Sequence, residues 1–277
     1  MKNSLKFWGA TSLLLALIIG FASCNSSSKK GKQTETAQIE KAEVETKVRE
    51  FVYPLPTSYE IVEMLNEIEA SYIFDLTNNP ANADKYSTEK SLALNLGVFG
   101  GDLSYASTYN QKQETANFIE ASRKMLEGLD LSAAISEDLP EQVEANEDDK
   151  EALVELITNS FYDTYDFLHK TNRAPVSALI MSGAWVEGLY IATHISEETF
   201  NSKEMVEIVL KQKDPLLKLM EILAKYKSDQ GVAETIADLS TMANIYAGIE
   251  STAITQEQMI QIAEESLKIR KKFIATK

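Results

Sequence analysis

The chain has 277 residues, 44% of them hydrophobic and 25% charged, with a formal net charge of −15. Those proportions suit an ordinary globular protein. The acidic excess repels nucleic-acid phosphates, which argues against a DNA or RNA partner. With only 11 glycines and 6 prolines, long regular elements are favoured over a turn-rich all-β fold.

The first residues read as an export signal. Lys2 and Lys6 precede the apolar run Phe7–Ala22, and small residues then lead to Cys24. The run is shorter than the roughly 20 residues of a transmembrane helix. Cys24 is the single cysteine, so no intramolecular disulfide can form. Its place directly after Ala22-Ser23 resembles a bacterial lipoprotein cleavage box. Residues 1–23 are thus expected to be a signal peptide and Cys24 a lipidated first residue whose acyl chains anchor the protein to a membrane. Residues 24–54 read as the lipidated cysteine and a flexible tether, polar and poor in aromatics.

Residues 55–277 read as one all-helical domain, a bundle of about eight helices. Thr57 to Glu60 has the pattern of a capping box, and Ile61, Leu65, Ile68, Tyr72 and Leu76 form one helical stripe after it. Pro80 lies in the loop that follows. The next helix, Leu92 to Tyr109, carries Gly97, Gly100 and Gly101, each of which costs about 1 kcal/mol relative to alanine unless packing offsets it. A further helix spans Gln113 to Leu129. Seven acids between Glu137 and Asp149 lack the spacing of a calcium-binding loop and read as a solvated connection. Asn146 is the expected cap of the helix bearing Val154, Ile157, Phe161, Tyr165 and Leu168. A second glycine-bearing helix runs from Ala178 to His194. Helices near Met205, from Asp214-Pro215, after Gly231 and from the Thr255–Gln258 capping box complete the chain. Lys268, Arg270, Lys271 and Lys272 crowd the end of the last one, where positive charge complements the helix dipole.

The two glycine-bearing helices suggest an internal duplication with halves at 57–130 and 147–226 and the helices of 230–275 appended. At one spacing, Asp102, Tyr105 and Tyr109 match Glu187, Tyr190 and His194. A register shifted by one residue matches Gly97 with Gly183 and Phe99 with Trp185 instead.

These residues define the candidate site. Asp102, Tyr105, Tyr109, Trp185, Glu187, Tyr190 and His194 would line a ligand site where the two glycine-bearing helices meet. Carboxylates supply charge and tyrosines flat faces, which suits a small polar or cationic ligand. No set of catalytic roles can be assembled, and G-x-S-x-G and phosphate-binding glycine motifs are absent. Asp166-x-x-His169, with His194, offers weak metal ligands, but two histidines fall short of a dinuclear carboxylate site. No cofactor is therefore expected.

At Ser91–Ser107 and Ser177–His194 the chain resembles uncharacterised all-helical lipoproteins of Bacteroidetes. The G-x-H-x-x-E motif of imelysin-type proteins is missing. The resemblance implies a helical fold and an envelope location and brings no catalytic residues. The expected function is a lipid-anchored envelope binding or interaction module with an unknown protein or small-molecule partner. It would sit at the outer membrane, facing the periplasm. The alternatives are a structural envelope protein without a small-molecule site and a metal-binding or carboxylate-dependent enzyme.

Overall fold

The computed structural model describes residues 58–136, 138–146, 149–196, 202–250 and 253–275, all within one packed unit. The leader, Cys24, the tether and Thr57 lie outside the described residues. Among those described there are ten α-helices and no strands: α1 Ser58–Glu67, α2 Glu89–Thr108, α3 Lys112–Gly128, α4 Leu139–Ala145, α5 Lys150–Lys170, α6 Ala174–His194, α7 Lys203–Leu210, α8 Lys213–Lys225, α9 Gln230–Ala247 and α10 Gln256–Phe273. Short 3₁₀ turns at Phe74–Leu76, Pro80–Lys85 and Ser132–Ala134 join some of them.

Helices α2 and α6 pack against each other along their lengths and form the centre. Both are buried around nearly their whole circumference and mostly apolar, as helices surrounded by protein are. By length and composition α6 could cross a membrane, but 94% of that stretch is buried within the bundle. Helices α1, α5, α7, α8, α9 and α10 all touch it. The glycines make the central contact possible. A Cβ on Gly101 would lie 3.0 Å from the Glu187 Cβ, and one on Gly97 would lie 2.6 Å from the Ala184 backbone nitrogen. Gly100 faces another way, towards the ring of Phe161 on α5.

Several element ends follow local chemistry. Thr88 and Thr255 each form a capping box, with Ser91 and Gln258 as reciprocal partners. Glu69, Asn110, Asp130 and Asn172 adopt positive φ. In each case the next residue's N–H reaches back five residues, as in Ala70 N–H to Leu65 O at 3.1 Å and Arg173 N–H to Leu168 O at 2.7 Å. These are Schellman endings built without glycine.

Five expectations change. The first helix stops at Glu67 instead of reaching Leu76, because Glu69 turns left-handed and ends it. The acid-rich connection contains helix α4. Asp149, not Asn146, caps α5, accepting from the Ala152 N–H, while Asn146 closes α4. Pro215 lies in the first turn of a helix that begins at Lys213, and α9 is capped by Asp229 ahead of Gly231. The described count thus reaches ten, partly through α4.

Candidate functional site: a buried carboxyl pair closed by an arginine

α2 carries Asp102, α6 carries Glu187, and both side chains are fully buried. Arg270 enters from α10. Its Nε donates to Glu187 Oε2 at 2.7 Å and its Nη2 to Glu187 Oε1 at 2.8 Å. The same Nη2 donates to the Leu76 carbonyl at 2.9 Å. Paired N–H donors on a planar fork match a carboxylate, an arrangement lysine cannot reproduce.

Asp102 lies within hydrogen-bonding reach of Glu187. Its Oδ2 accepts the Asn78 N–H at 3.1 Å, and no N–H or hydroxyl donor reaches Oδ1. Burial raises the Asp102 pKa well above the ordinary carboxylate range, and the negative charge of Glu187 raises it further, while Arg270 pulls against both. Burial and the neighbouring Glu187 thus both favour the protonated form of Asp102. With that proton on Asp102, the Arg270 guanidinium would balance the remaining carboxylate. Arg270 keeps its proton: burial opposes the charged form, but Glu187 outweighs it.

A polar frame surrounds this core. Asn78 Nδ2 donates to the Tyr86 hydroxyl at 3.1 Å, and Asn82 Nδ2 donates to Asn78 Oδ1 at 2.8 Å. Asn95, fully buried on α2, donates to the carbonyls of Ser91 at 2.8 Å and Phe273 at 2.9 Å. Tyr86 donates to the Ile274 carbonyl at 3.2 Å. The network thereby fastens the 71–86 segment and the end of α10 onto α2 and α6.

Tyr190 presents its ring face to Arg270, with the guanidinium carbon 4.2 Å from the centroid. His194 stacks against Tyr190 at 4.4 Å, and its Nδ1 lies 2.9 Å from the Tyr190 carbonyl. Burial lowers the His194 pKa and the Tyr190 carbonyl pulls it back up, with Arg270 adding to the lowering, so the neutral ring is favoured. Tyr105 accepts the Ile73 N–H at 2.8 Å and stacks on Tyr72 at 4.4 Å, with Tyr109 edge-on at 5.1 Å. Burial pushes the Tyr105 phenol up to about 12.

Of the seven expected site residues, the fold gathers Asp102, Glu187, Tyr190 and His194 around Arg270. It places Tyr105 and Tyr109 in an adjoining aromatic cluster and turns Trp185 into the main apolar core. Asp166 pairs with Lys170 on its own helix at 2.5 Å, and His169 is half-buried beside it. Among the described residues no three His, Cys, Asp or Glu side chains gather as metal ligands.

Sequence reasoning passed over Arg270, Asn78, Asn95, Tyr72 and Tyr86. Arg270 could have been found, since it continues the inward stripe of Met259, Ile262, Ser266, Ile269 and Phe273. Comparison with family models, curated proteins and solved structures finds no match to this chain.

Proposed function

We propose that this chain is a non-catalytic binding or interaction module of the bacterial cell envelope, anchored through a lipidated Cys24 at the outer membrane and facing the periplasm. Its buried polar cluster is framework rather than a reaction centre. The observation that carries this reading is the complete burial of Asp102 and Glu187, with both Glu187 oxygens engaged by Arg270. A reacting carboxyl must reach a substrate proton at hydrogen-bond distance, and neither acid meets solvent.

A second reading keeps the small polar or cationic ligand between α2 and α6. Its support is chemical: the acid-and-tyrosine box already holds an organic cation, the Arg270 guanidinium. A ligand there would have to displace that side chain. The duplication is also part of the proposal, in the register that pairs Gly97 with Gly183.

Native mass spectrometry of the purified chain separates the two readings. A bare mass, together with Asp102→Asn and Glu187→Gln variants that change stability alone, supports the framework role. A non-covalent mass lost in those variants supports the ligand. Palmitate labelling that disappears in Cys24→Ala tests the anchor; labelling that persists overturns it.

A further inference from the structure

Residues 71–78 lie between α1 and α2 and carry the Phe74–Leu76 turn. Among the described residues, no backbone–backbone hydrogen bond joins this segment to the rest of the chain. Side chains hold it instead. The Ile73 N–H donates to the Tyr105 hydroxyl at 2.8 Å, Arg270 donates to the Leu76 carbonyl at 2.9 Å, and the Asn78 N–H donates to Asp102 at 3.1 Å. Two of these three partners belong to the buried carboxyl cluster. The neighbouring Pro80–Lys85 turn packs on α3, whereas the Phe74–Leu76 turn has no comparable contact with any helix. Phe74 leaves 59% of its surface exposed, more than any other large apolar side chain among the described residues. The left-handed Glu69 marks one end of the segment and Pro80 the other. A segment with so few backbone bonds and apolar contacts opens ahead of the helices around it.

We propose that residues 71–78 are a hinged cover over the carboxyl pair, turning between Glu69 and Pro80, which lifts and admits water when Asp102 ionises. With Asp102 protonated, one guanidinium answers one carboxylate beneath the cover. Ionising Asp102 adds a second negative charge with no second cation, and a buried charge without a partner is costly. Lifting the cover hydrates it. The groups that face Asp102 are Glu187 and Tyr190 from α6, Arg270 from α10, and Tyr72 and Tyr86 from the segment and its continuation. His194 stacks on Tyr190. Burial raises the three phenols above their ordinary range, so they stay uncharged while Asp102 titrates. Opening releases a proton, because the hydrated acid returns towards about 3.9 while the covered one stands well above it. The open fraction therefore grows as pH rises, by at most about tenfold per unit, until the covered acid is itself ionised.

Amide hydrogen exchange of the full chain, followed by NMR between about pH 5 and pH 8 and divided by the intrinsic rates, tests the cover. The Ile73 and Asn78 amides should open at least about tenfold more often than those of Val98 and Leu189, buried on α2 and α6. Their opening constant should also climb with pH. In Asp102→Asn, which has no proton to lose, the same amides should keep the faster opening and lose the climb. Equal opening constants for Asn78 and Val98 would mean that the segment moves only with global unfolding. An equally steep climb in Asp102→Asn would mean that another group drives it. Either result overturns the proposal. The parent gives a second check should the variant not fold: the 13C carboxyl shift of Asp102 must titrate at the pH where the climb levels off, and a midpoint elsewhere overturns the proposal as well.

Discussion

Gly97 and Gly183 meet backbone to backbone, and the contact is reciprocal. A Cβ on Gly97 would strike the carbonyl oxygen of Ile180, three residues before Gly183, and one on Gly183 would strike that of Leu94, three residues before Gly97. Neither obstacle is a side chain that can rotate away. Gly97→Ala and Gly183→Ala are each expected to lose about 2 kcal/mol or more, the overpacking cost exceeding the helix-propensity gain of about 1 kcal/mol. Gly100→Ala meets only the far end of the Phe161 ring and should stay within about 1 kcal/mol of the parent by the same two effects. Urea unfolding midpoints at fixed pH check the ranking. Equal losses at all three positions would contradict it.

Asp102 should make the protein less stable as pH rises. Its folded pKa is raised by burial and then by Glu187, so its contribution is fully present below the unfolded pKa of about 3.9 and is lost on the way up to the folded value. Within that window the slope approaches about 1.4 kcal/mol per pH unit. Asp102→Asn keeps an acceptor for the Asn78 N–H and an amide donor for Glu187, with no proton to lose. Unfolding free energies between about pH 4 and pH 7 should fall more steeply for the parent than for the variant. Parallel curves would mean that Asp102 is ionised.

Glu187→Gln leaves the buried Arg270 cation without its counter-charge and should cost about 3–5 kcal/mol. Arg270→Lys should also be strongly destabilising, because an ammonium cannot span both Glu187 oxygens and the Leu76 carbonyl. Replacing both members, Glu187→Met with Arg270→Met, should recover much of the loss, since no buried charge is left unpaired. A thermal-unfolding double-mutant cycle reads the coupling, and additive losses would refute it.

Glu69 pays for its left-handed turn with no visible side-chain compensation among its bonds. Glu69→Gly should raise stability by about 1 kcal/mol, because glycine adopts positive φ without strain. A lower unfolding midpoint would show that the Glu69 side chain contributes more than its strain costs.

The two central helices were legible from their helical periodicity and their glycines, and the Thr255 cap because its partner Gln258 lies three residues away. The residues that close the site came from distant parts of the chain. Asp102 and Glu187 were identifiable as a pair of acids, but the cation that pairs with Glu187 stands in a cluster of four on α10, where a dipole argument accounts for all four equally. Only its place on the buried stripe distinguishes Arg270. The same limit hid α4, a helix of 7 residues within a stretch whose acids outnumber Leu139 and Val143. Glu69 gave no warning, since glutamate is not a residue that marks a left-handed turn.

Arg270 also imposes an order on synthesis. Asp102 and Glu187 emerge from the ribosome long before the cation that pairs with them, and Asn95 and Tyr86 likewise await the carbonyls of Phe273 and Ile274. A chain interrupted ahead of α10 has its central helices but leaves the carboxyl pair without a counter-charge and the 71–86 segment unfastened. The finished core is thus available only once α10 has been made, and a chain that stops short of it remains open to proteolysis.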